Sequence, residues 1–472
     1  MRKLIYVTIC FVGIFNLSYA QQKLTLKQAV ETGITNNLGV RQSALQMQKA
    51  DINLKQSRAE MLPNLNLNAN HGINQGRSIN PFTNSYVTQN VDYASYGIST
   101  NVLLFNGLSL HNLIQSNGLG YSASKMELQQ QKDNLTINII LDYLQVLSAE
   151  EILQSSKDQA IVTAKQVDRL GILNQAGSIS PSVYYDLKGQ QANDEIAIAD
   201  NEAAVETAKL NLAQLMNIPY DKNMEVEPIS IDDFDMDETA DPAQVYQTAL
   251  HGFAEVKAVH FRTESSEKLI RAIKGQLYPT LTFGVNANTN YSSIATQSIY
   301  QNSSIVASPD YVVVNGANLP VMTKSDKYNI QKIPYGSQLS NNLYTTFNLG
   351  LSIPIFNNSQ VRSRLKAARL DLANAQLNEQ TTKTVLQQSI ERAYLNLTNT
   401  GKKYRILLDQ VKSFTESYRS AEIKFESGVI TSVDYLVAKN NLDKARTNLI
   451  TAKYDYVLRE KILDYYQGKP LW

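Results

Sequence analysis

The residues of this chain best able to do chemistry are four histidines, one cysteine and one glycine-rich hexapeptide. His71, His111, His251 and His260 lie far apart, with no ligand spacing and no cysteine partner, which argues against a metal site. The only cysteine, Cys10, sits inside an apolar N-terminal run and not after a small-residue lipidation signal. Gly118-Leu119-Gly120-Tyr121-Ser122-Ala123 matches a dinucleotide-loop pattern on paper. That loop needs a strand before it and a βαβ unit around it, and here the pattern falls just inside a helical stretch. No pair of carboxylates stands out for acid–base work. These observations point away from an enzyme and from any cofactor.

The elements that would carry a function are therefore the repeated ones, and the ends of the chain set their compartment. Arg2 and Lys3, the apolar run Leu4 to Leu17 and the small residues Ser18 and Ala20 predict a secretory signal over residues 1–20. Beyond it no cysteine remains, which suits an exported envelope protein stabilised by packing and pairing. Removing Arg2 and Lys3 from 44 Lys+Arg leaves 42 against 43 Asp+Glu, so no basic excess suggests nucleic acid. No later apolar run reaches some twenty residues, so a membrane role would have to use strands.

Such strands are legible. From Thr345 to Ile355 the alternate residues Thr345, Phe347, Leu349, Leu351, Ile353 and Ile355 form an uncharged, mostly apolar face. Thr346, Asn348, Gly350, Ser352 and Pro354 lie between them. This is a period-two pattern of the length that crosses a bilayer at a tilt. A second copy runs from Tyr96 to Phe105, with Ile98, Val102 and Leu104 on the apolar face. Ile98, Val102, Phe347, Leu349 and Leu351 are thus expected to face membrane lipid. Both copies end in Phe-Asn, at Phe105-Asn106 and Phe356-Asn357, and both open into a long helical pattern.

The chain is duplicated. A shift of 216 positions carries Thr25 onto Asp241 and Pro63 onto Pro279; a shift of 251 carries Phe105 onto Phe356 and Gly177 onto Gly428. Thr25-Leu26-Lys27-Gln28 reads as a capping box, and Asp241-Pro242 as the equivalent helix start. The 35 extra residues fall in the loop of the second strand pair, about 290–342, rich in Ser, Asn and Tyr. The expected fold is an α+β membrane protein with a duplicated helix, strand, strand, long helix, helix unit. The first repeat is 21–218, with membrane strands about 63–72 and 94–105; an acidic equatorial linker is 219–240. The second repeat is 241–472, with strands about 279–289 and 343–356. The predicted long helix at 107–176 would measure ~105 Å, and the helices at 25–61 and 182–217 laid end to end match it. Four strands cannot close a barrel, and open edges in hydrocarbon leave backbone groups unpaired, so identical chains must share one.

These residues carry a resemblance. Ala421-x-x-Lys424-Phe425-x-x-Gly428-x-x-Thr431-x-x-Asp434-x-Leu436-x-Ala438 resembles the periplasmic-tip turn of the TolC family of outer-membrane efflux proteins, and the Phe-Asn strand exits with Arg362 following are similar too. The resemblance covers essentially all of the chain after the signal. It implies a homotrimer in the outer membrane of a Gram-negative bacterium: a twelve-stranded β-barrel continued by a long periplasmic α-helical barrel. It further implies a passive exit duct for efflux or type I secretion, with a periplasmic adaptor and an inner-membrane transporter as partners. Gly177, Ser178, Gly428, Val429 and Thr431 become the expected tip and adaptor contact. Asp434, one copy per protomer near the axis, becomes the expected pore constriction, where converging carboxylates would attract cations. The first repeat departs from the pattern, with Val183 where Asp434 would fall; in the second, Val437 and Ile430 stand where a second acid and a basic gating residue are often found. The alternative function is a structural or adhesin-like envelope protein acting through the 290–342 loop.

Overall fold

The computed structural model describes residues 23–79, 84–229 and 241–469; the expected signal and most of the acidic part of the linker lie outside them. The elements come in matched lengths. Helices α1 (Leu26–Asn36) and α5 (Pro242–Gly252) have 11 residues each, and α2 (Leu38–Ala59) and α6 (Ala254–Gly275) have 22 each. Helices α3 (Ser109–Gln175) and α8 (Gln360–Glu426) have 67 each, and α4 (Pro181–Met216) and α9 (Ser432–Gln467) have 36 each. The two sequence shifts carry each of these helices onto its counterpart, residue for residue at both ends.

Local chemistry sets the helix starts and stops. Gln28 N–H donates to Thr25 Oγ1 and Thr25 N–H to Gln28 Oε1, both at 3.1 Å, completing a capping box. Asp241 Oδ1 accepts from Ala243 N–H at 3.1 Å, with Pro242 at the first helical position. The helices expected as unbroken over 25–61 and after 241 are each interrupted once, at Asn37 and Phe253. Asn37 has extended backbone, and its Oδ1 accepts from Gly39 N–H at 2.9 Å, so it ends one helix and starts the next. Both long helices begin after two successive left-handed residues, Gly107 and Leu108 in one repeat and Asn358 and Ser359 in the other.

The chain forms two compact units, which cut across the repeats. One takes in the described residues of Met1–Asp51, Leu119–Glu264 and Leu372–Trp472, and it is helical. Two of its apolar clusters correspond between the repeats: Val30, Ile139, Tyr143, Leu212 and Met216 around α1, and Val245, Leu386, Ile390 and Leu463 around α5. The Tyr143 hydroxyl lies 2.8 Å from the Leu24 carbonyl and 2.7 Å from that of Glu227. It thereby fastens the start of the linker, where Leu24 bridges Val226 in parallel. Burial pushes that phenol up to about 12.

The other unit, Ile52–Gly118 with Ser265–Asp371, contains the strands. β1 (Asn64–Asn74), β4 (Val91–Phe105), β5 (Thr280–Ser292) and β8 (Tyr344–Ser352) form one antiparallel sheet in the order β1-β4-β5-β8. β2 (Arg77–Ile79) and β3 (Tyr86–Thr88) make a short hairpin between the first two. β8 stops at Ser352 and not at Phe356, because Ser352 pairs with Thr280, the first residue of β5. Beyond it Pro354 has no N–H to offer a ladder. The 290–342 stretch, expected as a loop, holds a long hairpin of β6 (Thr296–Val314) and β7 (Ala317–Lys332), followed by the short helix α7 (Tyr335–Asn341).

Candidate functional site

The sheet sorts its side chains by face. Register places Leu65, Thr100, Val285 and Phe347 in one cross-strand row, and Leu67, Ile98, Ala287 and Thr345 in the next. Val102, Phe283 and Leu349 continue that face, and Leu281 with Leu351 ends it. The opposite face carries the rows Asn64, Asn101, Gly284, Asn348 and Asn66, Ser99, Asn286, Thr346, without an ionisable side chain. Gly284 leaves room for two of these amides: a Cβ would meet Asn101 Oδ1 at 2.5 Å and Asn348 Oδ1 at 2.7 Å, so both side chains would have to turn. The apolar face is solvent-exposed in the single chain, with Phe347 at 69%, Leu349 at 66% and Leu351 at 64%. An exposed apolar face this regular, backed by an amide-rich polar one, is the arrangement of a wall between lipid and water.

At the far ends of α3 and α8 the two repeats make the same turn. Gly177 and Gly428 both have φ of +69°, and a Cβ on either would meet nothing, so backbone conformation alone demands glycine. Ser178 N–H reaches the Leu173 carbonyl at 2.9 Å and Val429 N–H the Lys424 carbonyl at 2.8 Å, closing a Schellman turn in each repeat. The helices that follow start differently. Thr431 Oγ1 accepts from Asp434 N–H at 3.2 Å and donates to Asp434 Oδ2 at 2.7 Å, while Thr431 N–H also donates to that carboxylate. Ser180 makes no such cap, and Val183 gives it nothing to answer with. Asp434 is therefore a capping carboxylate, exposed at the helix N-terminus.

Beneath the turn, Tyr435 is fully buried, stacked on Phe425 at 4.7 Å between ring centres, its hydroxyl 3.0 Å from that of Tyr418. Ile430 packs into this cluster with Leu187, which accounts for an apolar side chain at that position. Arg169 reaches Glu426 Oε1 at 2.7 Å, and Ser432 Oγ donates to Asp186 Oδ2 at 2.8 Å, so the two repeats are joined beside these turns. Val429, Val433 and Val437 remain exposed.

Sequence reasoning missed a buried ion cluster further along the same helices. Lys439 is 3% exposed, and its Nζ donates to Asp443 Oδ2 at 2.8 Å and to Asp194 at 3.1 and 3.3 Å. Asp194 also accepts from Thr163 Oγ1 and from Gln190 Nε2. Burial raises the pKa of Asp443, against the lowering pull of Lys439. The only local signal was the four-residue spacing of Lys439 and Asp443; Asp194 lies 245 residues away.

The histidines stay apart: His260 hydrogen-bonds Glu379, and His111 lies against Gln115. Among the described residues no group of His, Cys, Asp and Glu could hold a metal ion, and no helix is long and apolar enough to cross a membrane. The glycine hexapeptide lies within α3.

Open-edged strands with a lipid-type face, joined to paired long helices, define an outer-membrane channel protein of the strand-and-helix kind. A family model described as "Outer membrane efflux protein" matches residues 29–217 and 245–468. The chain belongs to that family, the TolC family. It is 21% identical to outer membrane protein TolC of Escherichia coli over 466 residues, 98% of this chain and 85% of that protein. With TolC of Vibrio cholerae the identity is 23% over 413 residues, 85% of this chain and 81% of the other. Its fold is that of the outer membrane protein VceC from Vibrio cholerae (TM-score 0.73, 13% identity, 95% of this chain and 97% of that one). It is also that of the CmeC outer membrane channel of Campylobacter jejuni (TM-score 0.73, 14% identity, 94% and 85%). The protein is an outer-membrane efflux channel with a periplasmic extension; it is not an enzyme. Membership carries with it a trimeric channel that works with efflux partners.

Proposed function

We propose that three copies close one twelve-stranded barrel, each contributing the sheet β1-β4-β5-β8, and that the assembly is the exit duct of a tripartite efflux or type I secretion system. The observation that carries this is the pair of free sheet edges, β1 and β8, on either side of a face suited to lipid. In hydrocarbon each unpaired backbone group costs several kcal/mol, so the edges need partners, and identical chains can supply them. Residues 1–20 are removed on export, and the repeats are 21–218 and 241–472 around the linker 219–240. Transport through the duct is passive, driven by an inner-membrane transporter.

In this reading Gly177, Ser178, Gly428, Val429 and Thr431 form the periplasmic end that meets the adaptor. Support comes from the matched Schellman turns and from the exposure of Val429 and Val433 beside them. Asp434 rings the narrowest point, its carboxylate held by Thr431. Photo-crosslinkers at Ser178 and Val429 test the assignment in cells. Capture of a periplasmic adaptor from both positions is expected; capture only from positions near Asn217 would place the contact elsewhere.

A further inference from the structure

The β6–β7 hairpin is the one large feature that the channel reading does not use. It leaves β5 at Ser292, the end of that strand farthest from α6, and forms a sheet of its own whose outer edges pair with no other strand among the described residues. Its strands of 19 and 16 residues extend roughly 50–60 Å. Asn315 and Gly316, both with positive φ, make the tight turn at its tip.

Its base is built to hold a direction. Gln338 of α7, 2% exposed, accepts from Ser292 N–H at 2.9 Å. The same amide donates to the carbonyls of Ser292 at 3.1 Å and Ile333 at 2.8 Å. Thr289 and Asn342 add bonds to Leu339 and Asn290 carbonyls, and Tyr335 reaches the Tyr96 hydroxyl at 2.8 Å. An arm clamped in this way presents its distal end at a fixed place.

That distal end is apolar. From Tyr311 to Thr323 there is no ionisable group apart from the Tyr311 phenol, and Tyr311, Val312, Val313, Leu319 and Met322 are all more than half exposed. Lys324, Asp326, Lys327 and Lys332 lie nearer the hairpin's base, and Asp310 falls in the bulge opposite Val321, where its carboxylate accepts from Ser308 Oγ at 2.8 Å. A lone two-stranded hairpin is marginally stable in water, and free apolar edges invite pairing.

We infer that the cover is a second copy of the same segment: the three hairpins of the trimer associate through residues 311–323 into a collar beyond the outer membrane. The inference rests on the trimeric reading. Twelve tilted strands enclose a mouth about 25 Å across, so arms of this length are long enough to reach one another over it. The trimer sets them at an effective concentration in the millimolar range without further loss of freedom. Identical side chains brought together at a symmetry axis carry like charges, and the run Val312 to Thr323, which has no ionisable group, avoids that repulsion.

The test uses the full trimer in detergent. Val313→Cys and Leu319→Cys each place one cysteine per protomer in the exported chain, so any disulfide formed joins two protomers. Oxidation is expected to give a dimer band from either variant, with hairpin amides protected from hydrogen exchange. Val313→Asp should speed that exchange roughly tenfold while the mass stays trimeric. A trimer with no dimer band and fast-exchanging hairpin amides overturns the collar and leaves the barrel reading intact. Protected amides without the band show another occupant, lipid or a foreign protein, and overturn it as well. A folded monomer overturns the barrel reading and the collar together.

Discussion

Replacing Lys439 by Met removes the ammonium and keeps most of the side chain's volume, so the change isolates the charge. Lys439 is 3% exposed and serves two carboxylates, with the nearest contact at 2.8 Å. Each charge-assisted bond is worth ~1.5–3 kcal/mol, but the larger effect is that Asp194 and Asp443 are left buried and facing each other. Breaking a buried pair from one side costs about 3–5 kcal/mol. The sign of the pH dependence follows from Asp443, whose pKa burial already raises. Without Lys439 it rises further, so the variant's deficit grows as pH rises and shrinks as the carboxyl takes up a proton. Guanidinium unfolding in detergent, followed by helical circular dichroism at two pH values, measures this. Asp194→Asn combined with Lys439→Met should recover at least ~2 kcal/mol relative to additivity. A loss under ~1 kcal/mol, or strictly additive effects, would refute the reasoning.

Three further outcomes are expected. Glu460 has its Oε2 buried without a hydrogen-bond partner among the described residues, and burial, with Asp464 adding, moves its pKa from 4.5 to about 7. Its folded pKa is raised, so its contribution is full below pH 4.5 and lost as pH passes 7, at most ~3 kcal/mol; Glu460→Gln should flatten thermal stability between pH 5 and 8. Leu108 is left-handed, with φ of 62°, and largely exposed, so Leu108→Gly should stabilise by about 1 kcal/mol, seen as a higher unfolding temperature. Asp434→Asn keeps an acceptor for the Thr431 cap while removing the charge; weaker cation preference and weaker divalent block in planar bilayers are expected, and unchanged values would place Asp434 off the pore axis.

The sequence carried the architecture wherever periodicity ran long. The 67-residue helices, the glycines ending them and the alternation from Thr345 to Leu351 all showed as pattern. What escaped was decided by pairing across the chain. Ile353 and Ile355 continue the alternation but have no partner once β5 begins at Thr280. The hairpin was hidden because its strands alternate poorly around two bulges, although Asn315-Gly316 between Tyr311-Val314 and Leu319-Met322 is a strong turn signal. The break at Asn37 had a local sign too, a capping residue before Leu38-Gly39. The Lys439 cluster had almost none, because helices α3, α4 and α9 bring its members together from distant positions.

The central claim is that the four strands of one chain complete a barrel only with those of two others. Native mass measurement of the detergent-solubilised protein tests it most directly. A mass of three chains, stable on dilution, is predicted, together with loss of folded strand signal wherever the trimer dissociates. A monomer that keeps its strand structure in detergent would contradict it.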